Sequence, residues 1–106
     1  MREELISAEV EPLPRRAARA ARELERLGFR VLHIGPTISV QGSLGLWKST
    51  FKISFKRRRK RLSDLTDEER SFALPDRDPV PVPSDLQNLI ASVSFAEPPE
   101  FYGGPS

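Results

Sequence analysis

Lysine and arginine form the chemically loudest segment of this sequence. Lys56, Arg57, Arg58, Arg59, Lys60 and Arg61 follow one another without interruption. Six adjacent cations repel one another, so they cannot be core and must be solvated or partnered. Two chemistries suit them. One is contact with phosphates, which gives salt-dependent and sequence-independent affinity. The other is pairing with acids of the same chain, and Asp64, Asp67, Glu68 and Glu69 follow closely. Those carboxylates read as solvated residues at a helix start rather than as a general acid/base pair. With no Cys, the chain has no thiol nucleophile, no disulfide and no thiolate metal site. The single His, His33, leaves no zinc cluster and no triad, and its place in a strand makes it a packed or edge residue. P-loop, dinucleotide-binding and EF-hand signatures are missing as well. The sequence therefore predicts a non-enzymatic protein with no cofactor and no metal.

The bulk numbers agree with a small binding protein. The length of 106 residues suits one domain. Hydrophobic residues make up 38% and charged residues 30%, enough for a modest core. The net charge of +2 conceals a strong asymmetry. Residues 48–61 hold eight basic and no acidic side chains, whereas residues 62–106 hold two basic and nine acidic. The N-terminal stretch has acids and no apolar leader segment. No apolar run reaches the ~18 residues that a membrane span requires. The expected location is the cytoplasm.

Residues 5–10 alternate, with Ile6, Ala8 and Val10 on one side, and predict a strand. Pro12 and Pro14 end it, and Pro14 suits the first turn of a helix. Over 15–27, Ala17, Ala20, Ala21, Leu24 and Leu27 recur at helical spacing, and Gly28 is the stop signal. Residues 29–34 and 37–41 read as two strands joined by Gly35-Pro36. Ser43 is an N-cap for a short helix with Leu44, Trp47 and Phe51 on one face. From Phe51 the pattern changes to alternation through Ile53 and Phe55, which predicts a strand. A charged loop spans about 56–83, with a capping-box start at Thr66 and Pro75, Pro79, Pro81 and Pro83 beyond it. A last helix from Ser84 carries Leu86, Leu89, Ile90 and Val93, and a final strand reaches Phe95. Residues 98–106 are a Pro- and Gly-rich tail, expected to be flexible. The predicted fold is α+β, a ferredoxin-like βαββαβ sandwich with an antiparallel sheet covered on one face by two helices. It carries an extra C-terminal helix and strand, all within one domain over 1–97.

Three stretches of this order carry a resemblance: Leu27-Gly28-Phe29-Arg30-Val31, Thr37-Ile38-Ser39-Val40-Gln41-Gly42, and Leu46-Trp47-Lys48-Ser49-Thr50-Phe51. They resemble the propeptide (activation) domain of subtilisin-like serine peptidases, in particular the sedolisin, kumamolisin-like branch. The segment Val82-Pro83-Ser84-Asp85-Leu86, continuing to Phe95, is similar to that family's last helix and strand. The resemblance spans roughly residues 5–97 and rests on short motifs of common residue types. It implies a propeptide-like domain that packs the open sheet face on two helices of a peptidase, assists its folding and inhibits it with a C-terminal segment. With no peptidase domain following, the expectation is a stand-alone domain that serves as inhibitor, folding chaperone or interaction module. The basic run departs from the family pattern.

Partner-binding candidates follow from these elements. Thr37, Ser39, Gln41, Lys52 and Ser54 alternate with the apolar strand positions and would line an open sheet face that either docks a partner or stays solvated. Glu100, Phe101 and Tyr102 lie in a tail that either enters a partner's cleft as an extended strand or is a disordered terminus. The alternative function is nucleic-acid binding through Lys56 to Arg61. No RNP-type or helix-turn-helix signature accompanies that run, and Trp47, Phe51 and Phe55 are spaced as core. A structural subunit in a larger assembly is a third reading.

Overall fold

The computed structural model describes residues 4–61 and 69–95, with side chains described for 4–59 and 72–95. The fold is α+β, with two helices and antiparallel sheets. Strand β1 spans Leu5–Pro12, helix α1 Ala17–Leu27, β2 Arg30–Ile34, β3 Ile38–Ser43 and helix α2 Leu44–Phe51. Strands β4 (Phe55–Arg61) and β5 (Glu69–Pro75), a short 3-10 turn (Ser84–Leu86) and β6 (Ile90–Phe95) follow. The main sheet has the order β2-β3-β1-β6, and β4 and β5 form a separate two-stranded ribbon. Every pairing is antiparallel.

Local chemistry accounts for most boundaries. In β1, Ile6, Ala8 and Val10 are buried while the residues between them are exposed, the period of a half-buried strand. Helix α1 begins at Ala17, later than the Pro14 signal, because Arg15 takes a left-handed φ of 66° and breaks the helical path. It ends at Gly28, whose φ of 111° is cheap only for glycine and whose N–H reaches the carbonyls of Glu25 and Leu24. For α2, Ser43 Oγ accepts a hydrogen bond from the Leu46 N–H at 3.1 Å, the capping role its residue type announced.

The core lies between the helices and one face of the sheet. Ala20, Ala21 and Leu24 of α1 and Trp47 and Phe51 of α2 bury there against Ile6, Ala8, Val10, Ile38 and Val40. Trp47 is completely buried and central. Its ring centroid lies 4.5 Å from Phe29, 5.2 Å from Phe51 and 4.8 Å from Phe95. Its indole N–H donates to the Ile6 carbonyl at 2.8 Å. Ile6 is paired with Gly42 in the β1–β3 ladder, so the indole bond ties α2 to a backbone position that the sheet already fixes, and it gives the buried N–H its acceptor. Gly42 makes room for the cluster: a Cβ there would lie 2.6 Å from Phe29 Cδ1.

Four expectations are corrected. Phe51 closes α2, in keeping with its helical spacing from Trp47, but the strand expected to begin there starts only at Phe55. The basic segment 56–61 is not a loop but most of β4, since its backbone finds a partner in residues 69–75. The helix expected from Ser84 is reduced to the 3-10 turn, and Ile90 to Phe95 are strand. That strand is no appendage, because β6 pairs with β1 as an edge of the main sheet. The helix start at Thr66 and the tail lie outside the described residues.

Replacing Trp47 by Phe keeps a ring in place but loses the indole bond to Ile6 and part of the ring volume; the expected loss is about 1–2 kcal/mol, against about 3–5 kcal/mol for Trp47→Ala, measured by urea unfolding. In the same assay, Gly42→Ala is expected to lose about 1–3 kcal/mol through the forced shift of Phe29.

Candidate functional site

The face of the main sheet opposite the helices is built by register. Antiparallel partners project to the same side, so the pairs Ser7↔Gln41, Glu9↔Ser39, Glu9↔Ser94 and Glu11↔Ser92 share it. Arg30 joins them through its pairing with Gln41. A bulge in β2 adds His33. The register advances by two residues, from Val31 to His33, against one on β3, from Val40 to Ser39. This extra residue turns His33 to the open face, where it is exposed, instead of leaving it in phase with Val31.

A hydrogen-bonded row of hydroxyls and carboxylates crosses this surface. Glu9 Oε1 accepts from Thr37 Oγ1 at 2.6 Å and Glu9 Oε2 from Ser39 Oγ at 2.7 Å. Ser92 Oγ donates to Glu11 Oε1 at 3.0 Å, and Gln41 Nε2 reaches Ser7 Oγ at 3.5 Å. The bonds from Thr37 and then Ser39 stabilise the charged form of Glu9 and hold its carboxyl below the usual range; the charge of His33 acts in the same sense, and slight desolvation opposes it. Apolar exposure is displaced to the periphery: Leu5 in β1, and Leu32 and Ile34 on the edge strand β2.

The structure thus brings Thr37, Ser39 and Gln41 together on one face, as expected, but not Lys52 or Ser54. Lys52 follows α2 with a left-handed φ of 57°. It lines a shallow hollow with Glu23 and Asp85. Ser54 sits in the connector, its carbonyl accepting from the Asp76 N–H at 2.9 Å and its N–H donating to Asp76 Oδ1 at 3.3 Å. Both departures follow from α2 claiming Phe51. Glu100, Phe101 and Tyr102 lie outside the described residues. Ser7, Glu9, Glu11, Ser92 and Ser94 were missed as site residues. For the first three, the signal was present: if Ile6, Ala8 and Val10 face inward, their neighbours face outward.

The basic run divides between the two faces of the ribbon. Arg57 forms an ion pair with Glu4, with Nη1 to Oε2 at 3.0 Å, and that bond, with the charge of Arg57, holds the Glu4 carboxyl below its usual range. Lys56 and Arg58 point the other way and pair in register with Leu74 and Phe72. Among the described residues, no three carboxylate or imidazole side chains gather in a way that would hold a metal ion, and no helix is long and apolar enough to cross a membrane. No family model, no curated protein and no solved structure matches the chain.

The Glu9 bonds have a pH signature. A lowered folded-state pKa stabilises the fold in full above the ordinary carboxylate value, about 4.3, and that contribution disappears as pH falls through the lower folded value. Replacing Thr37 by Val and Ser39 by Ala should raise the Glu9 midpoint in a carbon-detected NMR titration. The stability gap to the wild type should shrink on acidification from about pH 7 to pH 3; a gap constant over that range would contradict the assignment.

Proposed function

We propose that this chain is a non-enzymatic protein-binding module of the peptidase-propeptide type. It would dock on a subtilisin- or sedolisin-like partner as inhibitor, folding chaperone or interaction domain. The observation that carries the proposal is the helix-free, polar face of the four-stranded sheet, with β3 and β1 as its interior strands. Small hydroxyl side chains (Ser7, Thr37, Ser39, Ser92 and Ser94) let a partner's helices approach the sheet closely. Glu9 and Glu11 offer carboxylates of the sign that helix N-termini attract. The strand order β2-β3-β1-β6 supports a ferredoxin-like sandwich in which β6 takes the fourth strand's place and the β4–β5 ribbon is an insertion before it. In sequence, β6 runs on into the segment with Glu100, Phe101 and Tyr102, the part assigned to the partner's cleft. A Cys-free chain of this kind suits the reducing cytoplasm.

The test is residual activity of subtilisin-type peptidases on a chromogenic peptide, with complex formation followed by size-exclusion chromatography. Wild-type protein is expected to inhibit. Ser39→Arg and Glu9→Lys on the sheet face should each weaken inhibition by about tenfold or more, or ~1.4 kcal/mol. Removing residues 97–106 should weaken it with the circular dichroism unchanged. Absence of both inhibition and complex with the wild type would sink the proposal.

A further inference from the structure

The β4–β5 ribbon presents a second face, independent of the docking reading. Strand β4 has the sequence Phe-Lys-Arg-Arg-Arg-Lys-Arg and β5 adds one basic and one acidic residue. As strand rather than loop, these cations acquire direction. Phe55, Arg57 and Ala73 share one side, and Phe55 and Ala73 pack against the core. The ring of Phe55 meets Phe95 at 5.5 Å, and Arg57 is taken by Glu4. The opposite side presents Lys56 and Arg58, both exposed. Neither makes an ion pair or side-chain hydrogen bond among the described residues. Across the ladder they face the half-buried side chains of Leu74 and Phe72.

Lys56 and Arg58 also line a cleft of about 340 Å³ between the ribbon and β6, where Arg77 is a third cation and Asp78 the opposing acid. Leu74, Val80 and Phe95 give the cleft apolar walls. Cations beside an apolar slot and a half-exposed aromatic ring match a ligand that alternates charge with flat apolar groups. A single-stranded nucleic acid is such a ligand: its phosphates meet the cations and its unstacked bases find apolar and aromatic surface. A duplex keeps its bases stacked and gains nothing from the slot or the ring.

We infer that the Lys56–Arg58–Arg77 side of the ribbon binds single-stranded nucleic acid, with phosphates on the three cations and a base in the cleft beside Leu74 and Phe95. Three phosphate contacts on a single strand give a slope of log K against log salt of about −2.

Fluorescence anisotropy of the full chain with labelled 20-nucleotide single strands and the matching duplex tests this at increasing salt. Single strands should bind more tightly than the duplex. Lys56→Ser with Arg58→Ser should weaken binding by about ten- to a hundredfold at low salt and flatten the slope by about 1.4. Phe72→Leu, which keeps the charge, should weaken it about fivefold or more. Arg57→Ser removes the same charge from the other side of the ribbon and should change affinity far less than Arg58→Ser. Equal losses for those two variants would overturn the assignment of the face. Duplex bound as tightly as single strand would overturn the assignment of the ligand. Absence of binding to either, or binding that salt does not weaken, would overturn the proposal as a whole, even if anionic vesicles bind.

Discussion

The indole of Trp47 holds the two halves of the molecule in one register. It is the largest completely buried side chain, and it touches something from nearly every part of the core. Phe29 precedes β2, Phe51 closes α2, Phe95 ends β6, and the Ile6 carbonyl belongs to β1. Stacked or edge-on aromatic contacts each contribute about 0.5–1.5 kcal/mol beyond area burial. The bond to Ile6 adds direction, because an indole N–H in a dry core has to find an acceptor. Seated there, the ring meets Phe51 within α2 and Phe95 of β6, and Phe95 in turn meets Phe55 of the ribbon. The glycine at 42 belongs to the same arrangement, since it is the gap into which Phe29 leans.

Periodicity made much of this legible. The alternation in β1, the Ala and Leu stripe of α1, the Gly28 stop and the Ser43 cap are local signals, and the structure follows them closely. Most of the failures needed a partner far away in sequence. A run of Lys and Arg has no apolar alternation, so nothing local marks it as strand; the pairing with 69–75 decides it. The step from Phe51 to Phe55 carries the alternation of a strand, yet core volume beside Trp47 outweighs that pattern. His33 changes face because of a bulge, and a bulge is invisible until the neighbouring strand is known. Of the candidate site, Thr37, Ser39 and Gln41 were readable from their own strand. Glu9 and Glu11 were readable only once the inward side of β1 was used to assign its outward one.

The two surfaces differ in how their charges are spent. On the open sheet face, the carboxylates already accept from neighbouring hydroxyls, so the surface is ordered before anything meets it. On the ribbon, Lys56 and Arg58 are left exposed while Arg57 is committed to Glu4. Pre-ordered acceptors favour recognition by shape and hydrogen bonding, since little rotamer freedom remains to be lost. Exposed cations favour attraction at a distance that salt screens away. The two proposed modes of contact would therefore differ in their physical sensitivities.

The position of the ribbon also bears on how the chain reaches its final state. Inserted between α2 and β6, it lengthens the connection that must close before β6 can pair with β1, and Ser92 meets Glu11 across a separation of 81 residues. Loop-closure entropy rises by only about 0.6 kcal/mol for each doubling of loop length, so the equilibrium barely registers the insertion. The rate is another matter, because pairings of high contact order are slow to form. Until β6 arrives, β1 is an open sheet edge with Val10 and Ala8 lacking their neighbours. By that trend the detour through the ribbon would lengthen the interval in which the β1 edge is open to pairing with a wrong strand.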